Sequence, residues 1–244
     1  MRVTLQPAFV LHSRPYRETS VILDLFTRDG GRMAAVARGI RQSRSPLRPL
    51  LQLFTPLFVT WQGKSELATL LTAESNGHLP RLSGECLLSG LYLNELLMRV
   101  LHKHDPHPAL YTIYHNTLIE LQGSALQLKT LRLFEKKLLE ELGYGLQLTQ
   151  NMSTQDALVA DKYYRFHPEH GFELCAEASG HHTVFAGKSL LALAAEELDD
   201  ETCLRDAKRL MRLALAPLLG QYKLNSRQLY SQPREILIDE VLSE

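Results

Sequence analysis

Between Arg28 and Arg48 the chain reads RDGGRMAAVARGIRQSRSPLR, with arginines at Arg28, Arg32, Arg38, Arg41, Arg44 and Arg48 against one acid, Asp29. The formal net charge of the whole chain is zero, so this positive charge is placed rather than spread. A guanidinium is planar, permanently charged and able to grip phosphate oxygens in pairs. The centre of the stretch, RGIRQSRSPLRP, holds Gly39, two serines and two prolines with few apolar side chains. That composition predicts a loop projecting between strands. Arg14 and Arg17 in HSRPYRETS add a second basic patch. The chemistry on offer is contact with a polyanion; the competing reading is a loop kept soluble by its charges.

Other constellations carry less. His102, His104 and His107 surround Asp105 in HKHDPHP, but no H-E-x-x-H pattern accompanies them, and histidines of structural or solvent-facing kind account for the spacing. RDGG lacks the Lys-Ser/Thr ending of a phosphate-binding loop and reads as a tight turn between strands. The acid pairs Glu140-Glu141, Glu196-Glu197 and Asp199-Asp200-Glu201 fall in or beside helical patterns, where solvated acidic faces are usual. No nucleophile elbow selects a Ser-His-Asp set. No catalytic residue, metal site or cofactor is expected from these patterns.

The elements that must carry the arginines follow from periodicity. Up to about residue 80 the apolar runs are short and rich in branched or aromatic residues: AFVLHS, TSVILDLFT, GRMAAVAR, LQLFTPLFVTW and ELATLLTAE. Turn residues separate them, and five strands without a long helix predict a small barrel. Pro56 must sit at an edge or bulge. Through Pro80 there are ten basic and five acidic residues. Such a barrel with basic loops can hold single-stranded nucleic acid by backbone charge and by base stacking on rings such as Tyr16, Phe54, Phe58 or Trp61, although such rings also serve as core.

At Leu82 the period becomes helical. Leu87, Leu91, Asn94, Met98 and Leu101 share a face; PALYTIYHNTLIELQG and LKTLRLFEKKLLEELGYG predict further helices, the latter stopping at Gly143. From about Gln147 to His182 that period fails, and DKYYRFHPEHGFELC predicts a hairpin with Tyr163 or Tyr164 facing Phe172 and Phe166 facing Leu174. KSLLALAAEELD and ETCLRDAKRLMRLALAPLLG return to helix. On the last, Arg205, Lys208, Arg209 and Arg212 are expected at the surface. The domain expectation is 1–80 and 81–244, with 147–182 as a small β insert. Cys86, Cys175 and Cys203 are too few and too scattered for a disulfide framework. No apolar run approaches the roughly 20 residues of a membrane helix, and the start lacks a signal-peptide pattern, which predicts a cytoplasmic protein.

AFVLHSRPYRETSVILDLFTRDGGR, ARGIRQSRS, LQLFTPL, LSGLYLNELLMRVL, FEKKLLEELGYG and AKRLMRLALAPLLG followed by LNSRQL together resemble, in order along nearly the whole chain, the RecO family of bacterial DNA repair proteins in its short proteobacterial form. The resemblance implies a five-stranded oligonucleotide-binding (OB) barrel followed by a mainly α-helical domain with a small β-hairpin insert. It implies a non-enzymatic recombination mediator that binds single- and double-stranded DNA and anneals complementary strands. With RecR, such a mediator helps RecA load onto DNA coated with single-stranded-DNA-binding protein (SSB), in association with the nucleoid. DNA contact is expected at Arg14, Arg17, Arg32, Arg38, Arg41, Arg44 and Arg48. The acidic C-terminal tail of SSB is expected at Leu131, Arg132, Phe134, Lys136 and Leu138, with Arg132 gripping its carboxylate. Many members hold zinc with four cysteines after the GYG turn; the corresponding places here are Gln150, Ser153, Cys175 and Ala178, so a zinc-less insert is expected. The alternative from another class is a protein–protein adaptor whose basic loops meet an acidic partner without direct DNA function.

Overall fold

The structure is a computed structural model and describes residues 2–42, 44–63, 66–77, 81–122, 127–175 and 181–226. Five strands come first: β1 (Arg2–Tyr16), β2 (Ser20–Thr27), β3 (Gly31–Ala37), β4 (Leu57–Gln62) and β5 (Leu67–Ser75). They close a barrel in the order β1-β2-β3-β5-β4, with β3 and β5 parallel and the other neighbours antiparallel. Alternation sends Val10, Leu23, Leu25, Met33, Ala35, Leu57, Val59, Trp61 and Leu70 into its interior, the small alanines making room for the Trp61 indole. Pro56 stands just before β4, where its missing N–H costs no ladder bond and its carbonyl still accepts from Asn76 N–H at 2.9 Å.

β1 must serve two neighbours, pairing with β4 through its first half and with β2 through its second. It bends at two register shifts, one between Val3 and Gln6, where Leu5 has φ 48°, and one between Val10 and His12. The second is a bulge with Leu11 as the extra residue, outside the ladder. Its carbonyl is met by helix α1 (Gly84–Val100), whose buried Asn94 donates through Nδ2 at 2.9 Å. An amide at an otherwise apolar helix position thus completes the strand's hydrogen bonding.

Two compact units divide the chain: Met1–Pro106 with Gln221–Glu244, and His107–Gly220. In the first, residues 102–105 run along the start of β3, His104 N–H donating to the Arg32 carbonyl at 2.8 Å. A Cβ on Gly31 would collide with the Asp105 carbonyl, and its φ of +68° is one that glycine adopts without strain. The HKHDPHP segment thus meets β3 through its backbone, while Lys103 Nζ pairs with Glu66 at 3.2 Å. The return segment closes on α1: the Glu95 carboxylate accepts from Asn225 N–H (2.8 Å), Ser226 N–H (2.8 Å) and Ser226 Oγ (2.6 Å), while Arg99 lies 4.3 Å from the Tyr222 ring centroid.

In the second unit α2 (Pro108–Glu120), α3 (Gln127–Glu141), α4 (Gly187–Ala194) and α5 (Glu201–Leu219) accompany a small sheet of β6 (Tyr163–His167), β7 (Gly171–Cys175) and β8 (Val184–Ala186). α3 packs against both α2 and α5. It ends with Gly143 N–H on the Glu140 carbonyl and Tyr144 N–H on that of Leu139, the paired bonds of a Schellman stop. The sheet order is β7-β6-β8, so the expected hairpin gains a third strand. Its register differs from expectation: Phe166 faces Phe172 and Tyr164 faces Leu174. The turn between His167 and Gly171 spans Pro168–His170, which sets Phe166 and Phe172 directly opposite, their ring centroids 5.3 Å apart.

Burial alone would raise the Glu95 pKa, but the donors from Ser226 and Asn225, with Arg99 nearby, hold it below the ordinary carboxylate value. A folded-state pKa below the unfolded one adds stability that is fully present above about pH 4.3 and fades as pH falls through the folded pKa. Residues 221–226 are therefore expected to detach from α1 on acidification, read as faster proteolysis after Gly220. Glu95→Gln should show the fast cleavage already at neutral pH; equal rates for variant and parent would remove Glu95 as the clasp.

Candidate nucleic-acid interface

The arginine loop is anchored rather than projecting. Ile40 and Leu51 are buried in the barrel core, and Leu47 and Leu50 pack against it, which corrects the expectation of a loop without packed residues. Successive backbone bonds run from Gln42 N–H to Gly39, Ser45 N–H to Gln42 and Arg48 N–H to Ser45 carbonyls. In such three-residue turns side chains three apart fall on one side. Arg38, Arg41 and Arg44 share that spacing and are exposed, as is Arg48, while the aliphatic residues turn inward.

The second basic patch joins the first. Arg41 N–H donates to the Thr19 carbonyl at 3.0 Å, and Arg41 Nη1 reaches the Arg17 carbonyl at 3.4 Å, so the β1–β2 turn and the β3–β4 loop sit side by side. Arg17, at φ 53°, places its guanidinium 5.1 Å from the half-buried Tyr16 ring. Arg14 lies two residues before Tyr16 on the same side of β1 and is exposed. Among the described residues Arg14, Arg38, Arg44 and Arg48 have no carboxylate partner. Glu18, exposed in the turn, offsets part of this charge.

Two arginines of the stretch do other work. Arg32, expected at the DNA surface, points inward: its Nε donates to the Leu101 carbonyl at 3.0 Å and its Nη1 lies 3.6 Å from Asp24. It ties β3 to the end of α1. Arg28 pairs with Asp29 at 3.0 Å. Of the candidate stacking rings, Trp61 and Phe54 are buried, and Tyr16 and Phe58 are half-buried.

The α3 residues are placed differently from an open groove. Leu131, Phe134 and Leu138 are buried core between α2 and α5. Arg132 is 6% exposed and pairs with Glu135, 1% exposed, at 2.9 Å; its Nε is buried without a hydrogen-bond partner. Lys136 reaches Glu196 at 3.1 Å. Burial would raise the Glu196 pKa, but Lys136 and Lys137 hold it below the ordinary carboxylate range. On α5, Arg205, Lys208 and Arg212 are exposed, whereas Arg209 donates to the Val184 carbonyl at 2.7 Å and pairs with Asp206 at 3.1 Å. The arginine spacing was legible in sequence; the inward turn of Arg32 was not. The i,i+3 Arg–Glu pair inside the apolar LRLFE was the signal that could have marked Arg132 as buried.

A closed five-stranded barrel of this strand order has the architecture of an oligonucleotide-binding (OB) fold. The family models described as Recombination protein O N terminal and Recombination protein O C terminal match residues 1–77 and 81–228. Proteins named DNA repair protein RecO are similar throughout: that of Coxiella burnetii (strain CbuG_Q212) is 48% identical over 228 residues, covering 93% of this chain and 98% of the relative. That of Alkalilimnicola ehrlichii is 48% identical over 233 residues (95% and 92%), and that of Polynucleobacter asymbioticus 44% over 242 (97% and 99%). The chain belongs to the RecO family.

The four-cysteine zinc set that the resemblance implies for the family does not fit the residues here. Gln150 and Ser153 bring no thiolate; Ala178 lies outside the described residues. Asn151 instead holds the turn, its Oδ1 accepting from Ser153 N–H at 2.9 Å and Thr154 N–H at 3.5 Å, while Met152 N–H donates to the Phe172 carbonyl at 2.8 Å. Burial, with Glu173 nearby, pushes the Cys175 thiol up despite Arg165, away from the thiolate that binds metal. Among the described residues no group of three or more His, Cys, Asp or Glu is placed to hold a metal ion, and no helix is long and apolar enough to cross a membrane.

Alanine at Arg38, Arg41, Arg44 and Arg48 together is expected to flatten the salt dependence of DNA binding by about three units, at roughly 0.7–0.9 counterion per phosphate contact. An unchanged slope would reject this surface. Arg32→Ala should lower thermal stability and leave the slope alone. Metal analysis of untagged protein is expected to return no stoichiometric zinc; about one tightly held ion per chain would contradict the Asn151 turn as the substitute.

Proposed function

We propose that this chain is a DNA-binding recombination mediator that anneals complementary single strands and, with RecR, helps RecA load onto SSB-coated single strands during recombinational repair. The observation that carries the reading is the joined arginine surface of the barrel, six exposed guanidinium groups (Arg14, Arg17, Arg38, Arg41, Arg44 and Arg48) across two touching loops. Backbone contact without base-edge readout leaves the bases of a bound strand free to pair, which is the chemical requirement for annealing. The names of the relatives point the same way, to DNA repair. In this reading residues 1–80 carry the DNA contact and residues 81–244 the partner contact, and the protein acts in the cytoplasm on the nucleoid. An adaptor that merely meets an acidic protein would bind DNA little at physiological salt. Annealing of SSB-coated complementary strands by the parent protein, and its loss in the four-arginine variant, is the deciding experiment.

In the same reading the acidic SSB tail docks on α3. Arg132 spends Nη2 on Glu135 and keeps a buried Nε donor unmet, so an entering carboxylate can take that donor without stripping Glu135. Entry requires the residues covering Leu131, Phe134 and Leu138 to part, with Lys136 at the margin. Arg132→Ala is expected to weaken tail-peptide binding by about 2 kcal/mol, the scale of a charge-assisted hydrogen bond, and Arg132→Lys by nearly as much because the planar fork is lost. Calorimetry showing parental affinity for both variants would move the site to Arg205, Lys208, Arg209 and Arg212 of α5.

A further inference from the structure

Beside the arginine loop the first unit has an open groove of about 640 Å³. One wall is the continuation of that loop, Leu50, Leu53 and Phe54; the other is the entry to α1, with Leu82 and Leu87. Phe54 sits against α1 where a side chain on Gly90 would intrude: a Cβ there would lie 2.9 Å from its ring. Leu87 is 37% exposed. Arg81 lines the groove, is exposed and has no carboxylate partner among the described residues. Arg48 immediately precedes the lining residue Pro49, and Gln52 Nε2 donates to the Arg48 carbonyl at 2.7 Å. No acidic residue is among the described lining residues.

We propose that this groove receives an unstacked nucleobase of single-stranded DNA, with Arg48 and Arg81 taking the phosphates on either side. The proposal rests on the DNA-binding reading of the arginine loop and extends it to strand selectivity. The groove begins where that loop ends, Arg81 lines it and Arg48 adjoins it, and Leu50, Leu53, Phe54, Leu82 and Leu87 give it apolar surface among the polar Gln52, Thr55 and Ser75. A nucleobase offers a flat face to the leucine and phenylalanine side chains, and Gln52, whose Nε2 is held by the Arg48 carbonyl, keeps its amide oxygen to accept from a ring N–H or amino group of the base. A base in a duplex is held in the stack and cannot enter. The groove therefore gives single strands an affinity increment that depends on having bases, tolerates any sequence and is denied to duplexes.

The test uses the full chain and three probes: labelled oligothymidylate, a strand of equal length and charge in which abasic residues replace the thymidines, and a duplex. The parent protein is expected to prefer thymidylate over the abasic strand by about tenfold, within the range of stacking contributions per base. Leu87→Glu, at an exposed position, should erase that preference and leave duplex affinity within about twofold. Arg81→Ala, which breaks no ion pair among the described residues, should lower the single-strand salt slope by about 0.7 and not the duplex slope. A base preference that survives Leu87→Glu, or parallel weakening on the duplex, overturns the proposal. So does a leucine-containing acidic peptide that binds in a Leu87-sensitive way while the base preference persists, since the groove would then be a peptide site. A variant with alanine at Arg38, Arg41 and Arg44, which keeps Arg48, separates the two readings: if it binds all three probes normally while Leu87→Glu still loses base preference, the loop reading fails and the groove remains.

Discussion

The seating of α1 on the barrel turns on a buried hydrogen bond from Asn94 to the Leu11 carbonyl. A strand that must pair with β4 along one half and β2 along the other has to bend, and the bend leaves Leu11 outside the ladder. A buried carbonyl without a partner costs about 1–3 kcal/mol. Asn94 removes that cost from the opposite side, and in doing so fixes the rotation and height of α1 against the barrel. Everything placed by α1 inherits this constraint: the Phe54 contact at Gly90, the Leu101 carbonyl that receives Arg32, and the Glu95 carboxylate that receives the return segment.

The same logic sorts the arginines. A guanidinium that finds a carbonyl and a carboxylate within reach becomes structural, as Arg32 does with Leu101 and Asp24. Among the described residues those on the β1–β2 turn and the β3–β4 loop find no carboxylate, Arg41 meeting the Arg17 carbonyl and Arg17 lying over the Tyr16 ring. Their charge stays directed at solvent because Ile40, Leu47, Leu50 and Leu51 hold the loop down on the barrel. Apolar anchoring thus turns a charged segment into a defined surface, with less ordering left to lose when a phosphate chain binds.

In the second unit electrostatics are spent on cohesion. Lys129 and Lys136 of α3 reach Asp199 and Glu196 near the start of α5, and Asp206 is shared by Ser189 and Arg209. The Arg132–Glu135 pair is deeper still. Removing one partner of such a pair is far costlier than the pair itself is stabilising, which makes that face of α3 sensitive to any change of charge.

Local pattern determined much of this protein. Alternating apolar residues specified five strands, a 3.6-residue period specified the helices, and the clustered arginines marked a basic surface. These features are legible because each depends on neighbours a few residues apart. The pairing of Phe166 with Phe172 depended on the turn's length as built, and the sequence pattern alone placed it two residues out. Only the tertiary structure decided that Arg32 turns inward, that Arg132 is buried, that Asn94 answers a bulge and that Arg17 and Arg41 adjoin. Those outcomes depend on which buried donors and acceptors remain unmet once distant segments pack, Leu11 with Asn94 across 83 residues and Arg32 with Leu101 across 69. Hydrogen-bond satisfaction is a property of the closed fold.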